Sequence, residues 1–240
     1  MQLRQIQESD FERIIEIYSL AFEDPTSIPI EYAANLCYTN PEGCFAATVS
    51  GEVVGYVCSH TSGQIGYIGS LAVHPAHRGN GYGKAMTIAV RDHLAGQCEV
   101  IGLAVEPHLD RNLSLYASCG FLPVLPSCHV SKSLASDGSR GLPENVHSAR
   151  QLGSKAYDVI RQIGDWTDEL LPGLDFTRDL EHFVHTYPDD LLICFAEEKP
   201  LGFLAYQDWF RTDPWGAVRP GPNDIGVLDS LIAGMEESSS

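Results

Sequence analysis

Apolar positions along the first 134 residues alternate between two periods. Phe11, Ile14, Ile15, Tyr18 and Phe22 recur three and four residues apart, the spacing of one helix face. LRQI (3–6) ahead of them reads as a short strand, and Ser9-Asp10-Phe11-Glu12 has the form of a capping box. Pro25 ends this helix, and a weaker second helix is expected from Ile30 to about Tyr38. The pattern then changes. CFAATVS (44–50), the turn Gly51-Glu52 and VVGYVCSH (53–60) predict a hairpin, and IGYIGSLAV (65–73) predicts a third strand. Helical spacing returns in GYGKAMTIAVRDHLAG (81–96), with Tyr82, Met86, Ala89 or Val90, and Leu94 on one side. EVIGLAV (99–105) reads as a buried strand, RNLSLYASCG (111–120) as a short helix closed by glycine, and FLPV (121–124) with HVSKSL (129–134) as a closing strand pair. This order predicts a mixed α/β unit, a twisted mixed sheet flanked by helices.

Residues 135–148 (ASDGSRGLPENVHS) are polar with Gly and Pro and read as a linker. The remainder, 149–240, resembles the beginning. ARQLGSKAYDVIRQI (149–163) lies over LRQIQESDFERIIEI (3–17), LLICFAEEKPLGFLAY (191–206) over the hairpin, and IGVLDSLIA (225–233) over IGYIGSLAV. The expectation is a partial second copy that ends where the first has its glycine-rich turn, without that turn, the helix after it or the later short helix.

Composition narrows the class. The 240 residues are 44% hydrophobic and 20% charged, with a formal net charge of -17. An acidic chain of this kind argues against non-specific nucleic-acid binding, and no apolar run reaches the ~18 residues of a membrane helix. With no apolar signal core in MQLRQIQESD, a cytoplasmic protein is expected. The seven cysteines, Cys37, Cys44, Cys58, Cys98, Cys119, Cys128 and Cys194, are odd in number and contain no CxxC pair. Buried reduced thiols are expected from them, with neither a disulfide framework nor a metal site.

The chemistry concentrates at HPAHRGNGYGKAM (74–86), a locally basic turn in an acidic chain. Helix-start amides lack intrahelical partners, and the helix dipole adds positive potential there. Glycines 79, 81 and 83 let successive amides form a concave nest, and Arg78 and Lys84 add charge. There is no GxxxxGK[ST], and no GxGxxG, because Met86 stands where the last glycine would be.

LAVHPAHRGNGYGKAM resembles the acetyl-CoA-binding segment of the GNAT N-acetyltransferase superfamily, whose core [RQ]-x-x-G-x-[GA] is here Arg78-Gly79-Asn80-Gly81-Tyr82-Gly83. LSLYASCGF (113–121) resembles the family's later L-Y-x-x-x-G-F helix, with Leu115-Tyr116 ahead of Gly120-Phe121. The resemblance covers about residues 1–134 and implies an acetyl-CoA-binding catalytic domain there. It implies that the amides of residues 79–84 hold the coenzyme A pyrophosphate. It implies that Leu71-Ala72-Val73 splays from the strand Ile101–Val105 so that pantetheine pairs with it, the Val73 amide facing the thioester carbonyl. Tyr116 is implied to protonate the departing thiolate, and an amine acceptor, small molecule or peptide, to attack directly in a ternary complex.

Two positions depart from the family pattern. The position of the asparagine that usually precedes the tyrosine falls nearer Leu109 than Asn112, so either Asn112 or backbone substitutes or one contact is lost. The third strand also lacks the carboxylate that many members use as a base; Glu23, Asp24, Glu31, His60 and Tyr67 remain as alternatives. His74, His77 and His108 lack metal-ligand spacing, and no metal is expected. The aromatic group Trp209, Phe210 and Trp215 falls in an expected extra loop (207–224), as a lid, an interaction surface or core. A non-catalytic acyl-CoA-binding module is the alternative to an enzyme, and a homodimer through the second copy is a further expectation.

Overall fold

The computed structural model describes residues 1–22, 29–38, 40–105, 110–123, 142–206, 215–219, 221 and 224–238. The chain divides into two compact units, Met1–Pro126 and Ser127–Ser240. Strand β1 (Gln2–Gln5), helices α1 (Phe11–Phe22) and α2 (Glu31–Leu36), strands β2 (Phe45–Val49), β3 (Glu52–Ser62) and β4 (Ile65–Val73), helix α3 (Tyr82–Leu94), strand β5 (Val100–Gly102) and helix α4 (Asp110–Ser118) build the first. Its sheet runs β1-β2-β3-β4-β5, antiparallel throughout except for the parallel β4/β5 pair.

Helices cover both faces. Ile14 and Ile17 of α1 and Ala33 of α2 pack on Ala46, Tyr56, Cys58 and Ala72. Met86, Val90 and Leu94 of α3, all fully buried, pack on Ala47, Val54, Val57 and Ile68. Burying each such side chain is worth about 1.5–3 kcal/mol, which fixes α3 firmly on the sheet. The central strand β3 is buried on both faces from Val53 to Ser59, so its apolar run is nearly continuous. The expected elements through 120 are present; the strand read over 99–105 is confined to Val100–Gly102. Of the closing pair, 121–123 are not strand, and 124 and 129–134 lie outside the described residues.

The second unit has strand β6 (Val146–Ser148), helices α5 (Ala149–Leu152), α6 (Ala156–Leu170) and α7 (Thr177–Thr186), strands β7 (Leu191–Ala196), β8 (Lys199–Ala205) and β9 (Trp215–Val218), and helix α8 (Asp224–Ser238). The antiparallel sheet runs β6-β7-β8-β9. Helices α6 and α7 cover Leu191, Ile193 and Phe203, and α8 covers Leu192, Cys194 and Leu204.

Three expectations are corrected here. IGVLDSLIA is not a strand but the body of α8, because Val227, Leu231 and Met235 recur at helical spacing and all face the core. A helix therefore does follow the last strand of the second unit, β9. Residues 146–148, expected as linker, form β6, and Arg150-Gln151 begins a helix where Arg4-Gln5 is strand. The Ser148 hydroxyl accepts from the Gln151 amide while the Gln151 side chain accepts from the Ser148 amide, and this capping box starts the helix. Finally, Trp215 is not in a loop. It pairs in β9 and stacks among Phe176, Phe183 and Phe203 at 5.4–5.7 Å between ring centres. Trp209 and Phe210 lie outside the described residues.

Candidate active site

Among the described residues strands β4 and β5 pair at Ile65–Val100, Gly66–Ile101 and Tyr67–Gly102 and no further along β4. Beyond Tyr67 they part, and β4 continues for six more residues against β3 alone. A bulge sets Gly69 and Ser70 opposite the single residue Cys58 at the start of the divergence. The direction of the freed peptide groups follows from the ladder. The His74 amide donates to Val54 O at 2.9 Å, so Gly55/Val73 and Val57/Leu71 are the non-hydrogen-bonded pairs. The N–H and C=O groups of Leu71 and Val73 therefore turn away from β3, into the gap, while Ala72 is bonded to β3 and its side chain is core.

The turn follows directly. A 3-10 turn at Pro75–His77 is fastened by the His74 ring, which accepts from the Ala76 amide at 3.2 Å. Gly79 and Gly81 adopt φ of +84° and +78°, where a side chain is strained. Gly81 is the N-cap of α3, and the first bond spanning the cap is from the Ala85 amide to Gly81 O. The amides of Tyr82, Gly83 and Lys84 thus begin the helix without intrahelical partners. Lys84 is exposed beside them. The Asn80 side chain donates to His77 O at 3.0 Å and so tightens the turn itself. Arg78 has a similar internal use: its guanidinium donates to Val73 O at 3.3 Å and Ala21 O at 3.1 Å, tying the end of β4 to the end of α1.

Helix α4 brings the second motif to the same place. A Cβ on Gly83 would stand 3.7–3.9 Å from Leu115, Leu71 and Val73 side chains, so α4 lies against the start of α3 and the end of β4. Tyr116 is half-buried, and Asn112 lies one turn earlier on the same helical side. Burial first, and the nearby Tyr67 phenol second, raise the Tyr116 pKa above its ordinary value, so the phenol keeps its proton at neutral pH. Leu109, Glu106 and His108 lie outside the described residues.

The opposite face of the sheet under α1 and α2 carries phenols. Tyr56 Oη lies 2.8 Å from Ser70 Oγ at the bulge, and Tyr32 also bonds to Ser70. Burial raises the pKa values of Tyr32 and Tyr56, so both are neutral. Tyr18 packs on Tyr32 and Phe22 at 5.2 and 4.7 Å. His60 pairs with Tyr67 across β3/β4, their rings 4.8 Å apart, and the Ala104 amide donates to Tyr67 Oη at 3.0 Å. Burial lowers the His60 pKa. Glu31 is exposed on α2, and Glu23 and Asp24 lie outside the described residues.

Sequence patterns did not foresee one cluster. The sulfurs of Cys37, Cys44 and Cys58 all lie within 4.8 Å of one another. Their spacing of seven and fourteen residues matches no ligand motif; only the packing of α2 on β2 and β3 unites them.

The profile of the Acetyltransferase (GNAT) family matches residues 4–121. An acetyltransferase of Yersinia enterocolitica, YE1169, is 30% identical over 122 residues, which are 48% of this chain and 84% of the relative. This chain belongs to the GNAT acetyltransferase family. A second relative is the acetyltransferase SG1711 of Sodalis glossinidius, 30% identical over 122 residues, 48% of this chain and 83% of that one. A Pyrococcus horikoshii structure provisionally assigned as an acetyltransferase superposes with a TM-score of 0.71 at 18% identity. It covers 100% of this chain and 77% of its own, and shows likeness of fold. The family match and the curated relatives make the protein a GNAT-type acetyltransferase, an enzyme of acyl transfer. Among the described residues no helix is long and apolar enough to cross a membrane.

Proposed function

We propose that the protein transfers an acetyl group from acetyl-CoA to a primary amine by direct attack within a ternary complex. The observation that carries this reading is the divergence of β4 from β5, with the Leu71 and Val73 peptide groups facing the gap beside the free amides of α3. The residues fit the coenzyme: the gap offers strand-like hydrogen bonding to pantetheine, and apart from the adjoining residues of the chain nothing lies within 4 Å of a Cβ built on Gly79 or Gly81, which leaves the turn open to a pyrophosphate. The site residues would be Leu71, Ala72, Val73, Arg78, Gly79, Asn80, Gly81, Tyr82, Gly83, Lys84 and Asn112 for the coenzyme, and Tyr116 for the chemistry. Arg78 and Asn80 would act chiefly by holding the turn's shape, given their internal bonds.

When bound, acetyl-CoA supplies the acyl group as a thioester. Of the two amides facing the gap, Leu71 N–H is nearer the point of divergence at Tyr67–Gly102. It is therefore the better donor toward the thioester carbonyl, and Val73 is left to the pantetheine chain. Tyr116 Oη holds the proton that the leaving sulfur requires. Tyr18, Phe22 and Tyr32 would wall the acceptor side with aromatic rings, which suits an amine carried on an apolar or aromatic body.

The coenzyme-binding unit would span residues 1–134, and residues 149–240 would be a partial repeat without a coenzyme loop. Supporting this, the segment before α8 reads Arg219-Pro220-Gly221-Pro222-Asn223-Asp224. Two prolines remove amide donors, and Asp224 places negative charge at the helix start.

The test is Tyr116→Phe, assayed by thiol release against a panel of amines. The ring stays and only the proton donor goes, so kcat should fall by about 10²- to 10⁴-fold with acetyl-CoA affinity unchanged. Turnover within a factor of two of the parent enzyme would remove Tyr116 from the chemistry.

A further inference from the structure

Cys37 is the C-cap of α2, Cys44 follows the 3-10 turn Pro41–Gly43, and Cys58 lies on β3 opposite the bulge. Cys44 is 0% and Cys58 2% exposed, and Cys37 is half-buried at the edge. Buried hydrogen bonds tie the frame around them. The Asn40 side chain donates to Ser59 Oγ at 3.1 Å, and Ser59 Oγ donates to Gly43 O at 2.8 Å. A Cβ on Gly43 would collide with the Asn40 and Ser59 side chains, so this buried network closes on the glycine and fixes the turn that delivers Cys44.

Three elements thus present three sulfurs to one point, and the closest spacing a metal needs is near at hand. Thiolates at about 2.3 Å from a shared ion stand about 4 Å apart in a trigonal plane, so a set already within 4.8 Å closes by less than about 1 Å. An odd number of converging thiols cannot be consumed by one disulfide. Among the described residues the cluster holds no histidine or carboxylate as a fourth ligand. The apolar side chains of Ile14, Ile17, Ala33 and Ala46 in the same core carry no donor atom for a metal. Zinc prefers four ligands, whereas soft thiolate donors suit a monovalent copper ion at lower coordination number.

We propose that Cys37, Cys44 and Cys58 form a three-sulfur site for one Cu(I) ion. The bound ion would fasten the end of α2, the helix that carries Tyr32, to β2 and β3. Binding releases the thiol protons to solvent and involves no change of oxidation state.

The experiment titrates the reduced full-length chain, without oxygen, against a Cu(I) complex of a chromogenic chelator, and against Zn(II) with a zinc indicator in parallel. The expected result is withdrawal of one Cu(I) per chain, with X-ray absorption showing three sulfur neighbours. Cys58→Ser and Cys44→Ser should lose it, and Cys37→Ser, at the half-buried edge and least disturbing to the core, should weaken it at least tenfold with an unchanged circular dichroism spectrum. Cys98→Ser, outside the cluster, should bind as the parent does. No withdrawal of Cu(I), two-sulfur coordination, preference for Zn(II), or undiminished binding in folded Cys37→Ser would each overturn the proposal. So would a Cys37–Cys44 or Cys44–Cys58 disulfide formed quantitatively under mild peroxide in the presence of equimolar Cu(I).

Discussion

Replacing Gly81 by alanine separates two costs that are usually confounded. Gly81 has φ of +78°, and no atom lies within 4 Å of the Cβ it would gain, so the folded protein meets no collision. What remains is the left-handed backbone, about 1–2 kcal/mol for a residue with a side chain. For a chain of this size that lowers Tm by roughly 2–8 °C. Gly51 is the internal control: it has φ of +88°, equal open space, and lies in the β2–β3 hairpin away from the gap. Gly51→Ala should show the same loss of Tm. Only at Gly81 should the methyl group also occupy the space a pyrophosphate oxygen approaches. Losing one amide–phosphate hydrogen bond costs about 1.5–3 kcal/mol, or about 10- to 150-fold in Kd. Coenzyme A at 100 times the parent Kd stabilises the parent by about 2.7 kcal/mol. The same concentration should stabilise a variant weakened 100-fold by only about 0.4 kcal/mol. Calorimetric titration gives Kd, and thermal melts with and without coenzyme give the linked stabilisation. If Gly81→Ala melts like Gly51→Ala but binds coenzyme A within threefold of the parent, the turn is not the pyrophosphate site.

Two further outcomes test the packing that supports the site. A Cβ on Gly55 would stand 2.8 Å from Ala72 O and 3.1 Å from Met86 Cε, so Gly55→Ala must push β3 from β4 and should lose about 1–3 kcal/mol by urea denaturation. Asp10 accepts from both terminal nitrogens of Arg4, at 2.6 and 2.8 Å, and from the Gln7 amide at 2.9 Å, and the Arg4 bond is the main cause of its lowered pKa. A carboxylate whose folded pKa is depressed adds stability above its unfolded pKa of about 3.9 and loses it as pH falls through the folded value. Asp10→Asn should therefore melt lower than the parent at pH 7, and the difference should shrink below about pH 4; a gap that persists at pH 2 would assign the effect to packing.

Local pattern determined much of this protein. The helical spacing of Met86, Val90 and Leu94, the short apolar runs of β2 and β3, and the glycines at 79 and 81 are each constrained by near neighbours, so they stand in the sequence and in the structure alike. The Arg78–Gly83 and Leu115–Phe121 motifs carried the family for the same reason. Where a segment satisfied two periods, local pattern failed. IGVLDSLIA suits a strand by apolar content and a helix by the spacing of Val227 and Leu231, and burial against Leu192, Cys194 and Leu204 chose the helix. VHS (146–148) is too short to declare itself, and became β6 only because β7 offers it a hydrogen-bonding edge. The tertiary structure alone decided three features of the site. The divergence at Tyr67–Gly102 depends on two strands separated by all of α3. The internal bonds of Arg78 depend on α1 lying beside β4. The meeting of Cys37, Cys44 and Cys58 depends on three elements whose sequence spacing carries no periodicity, because thiols that converge through packing need only a shared destination in space.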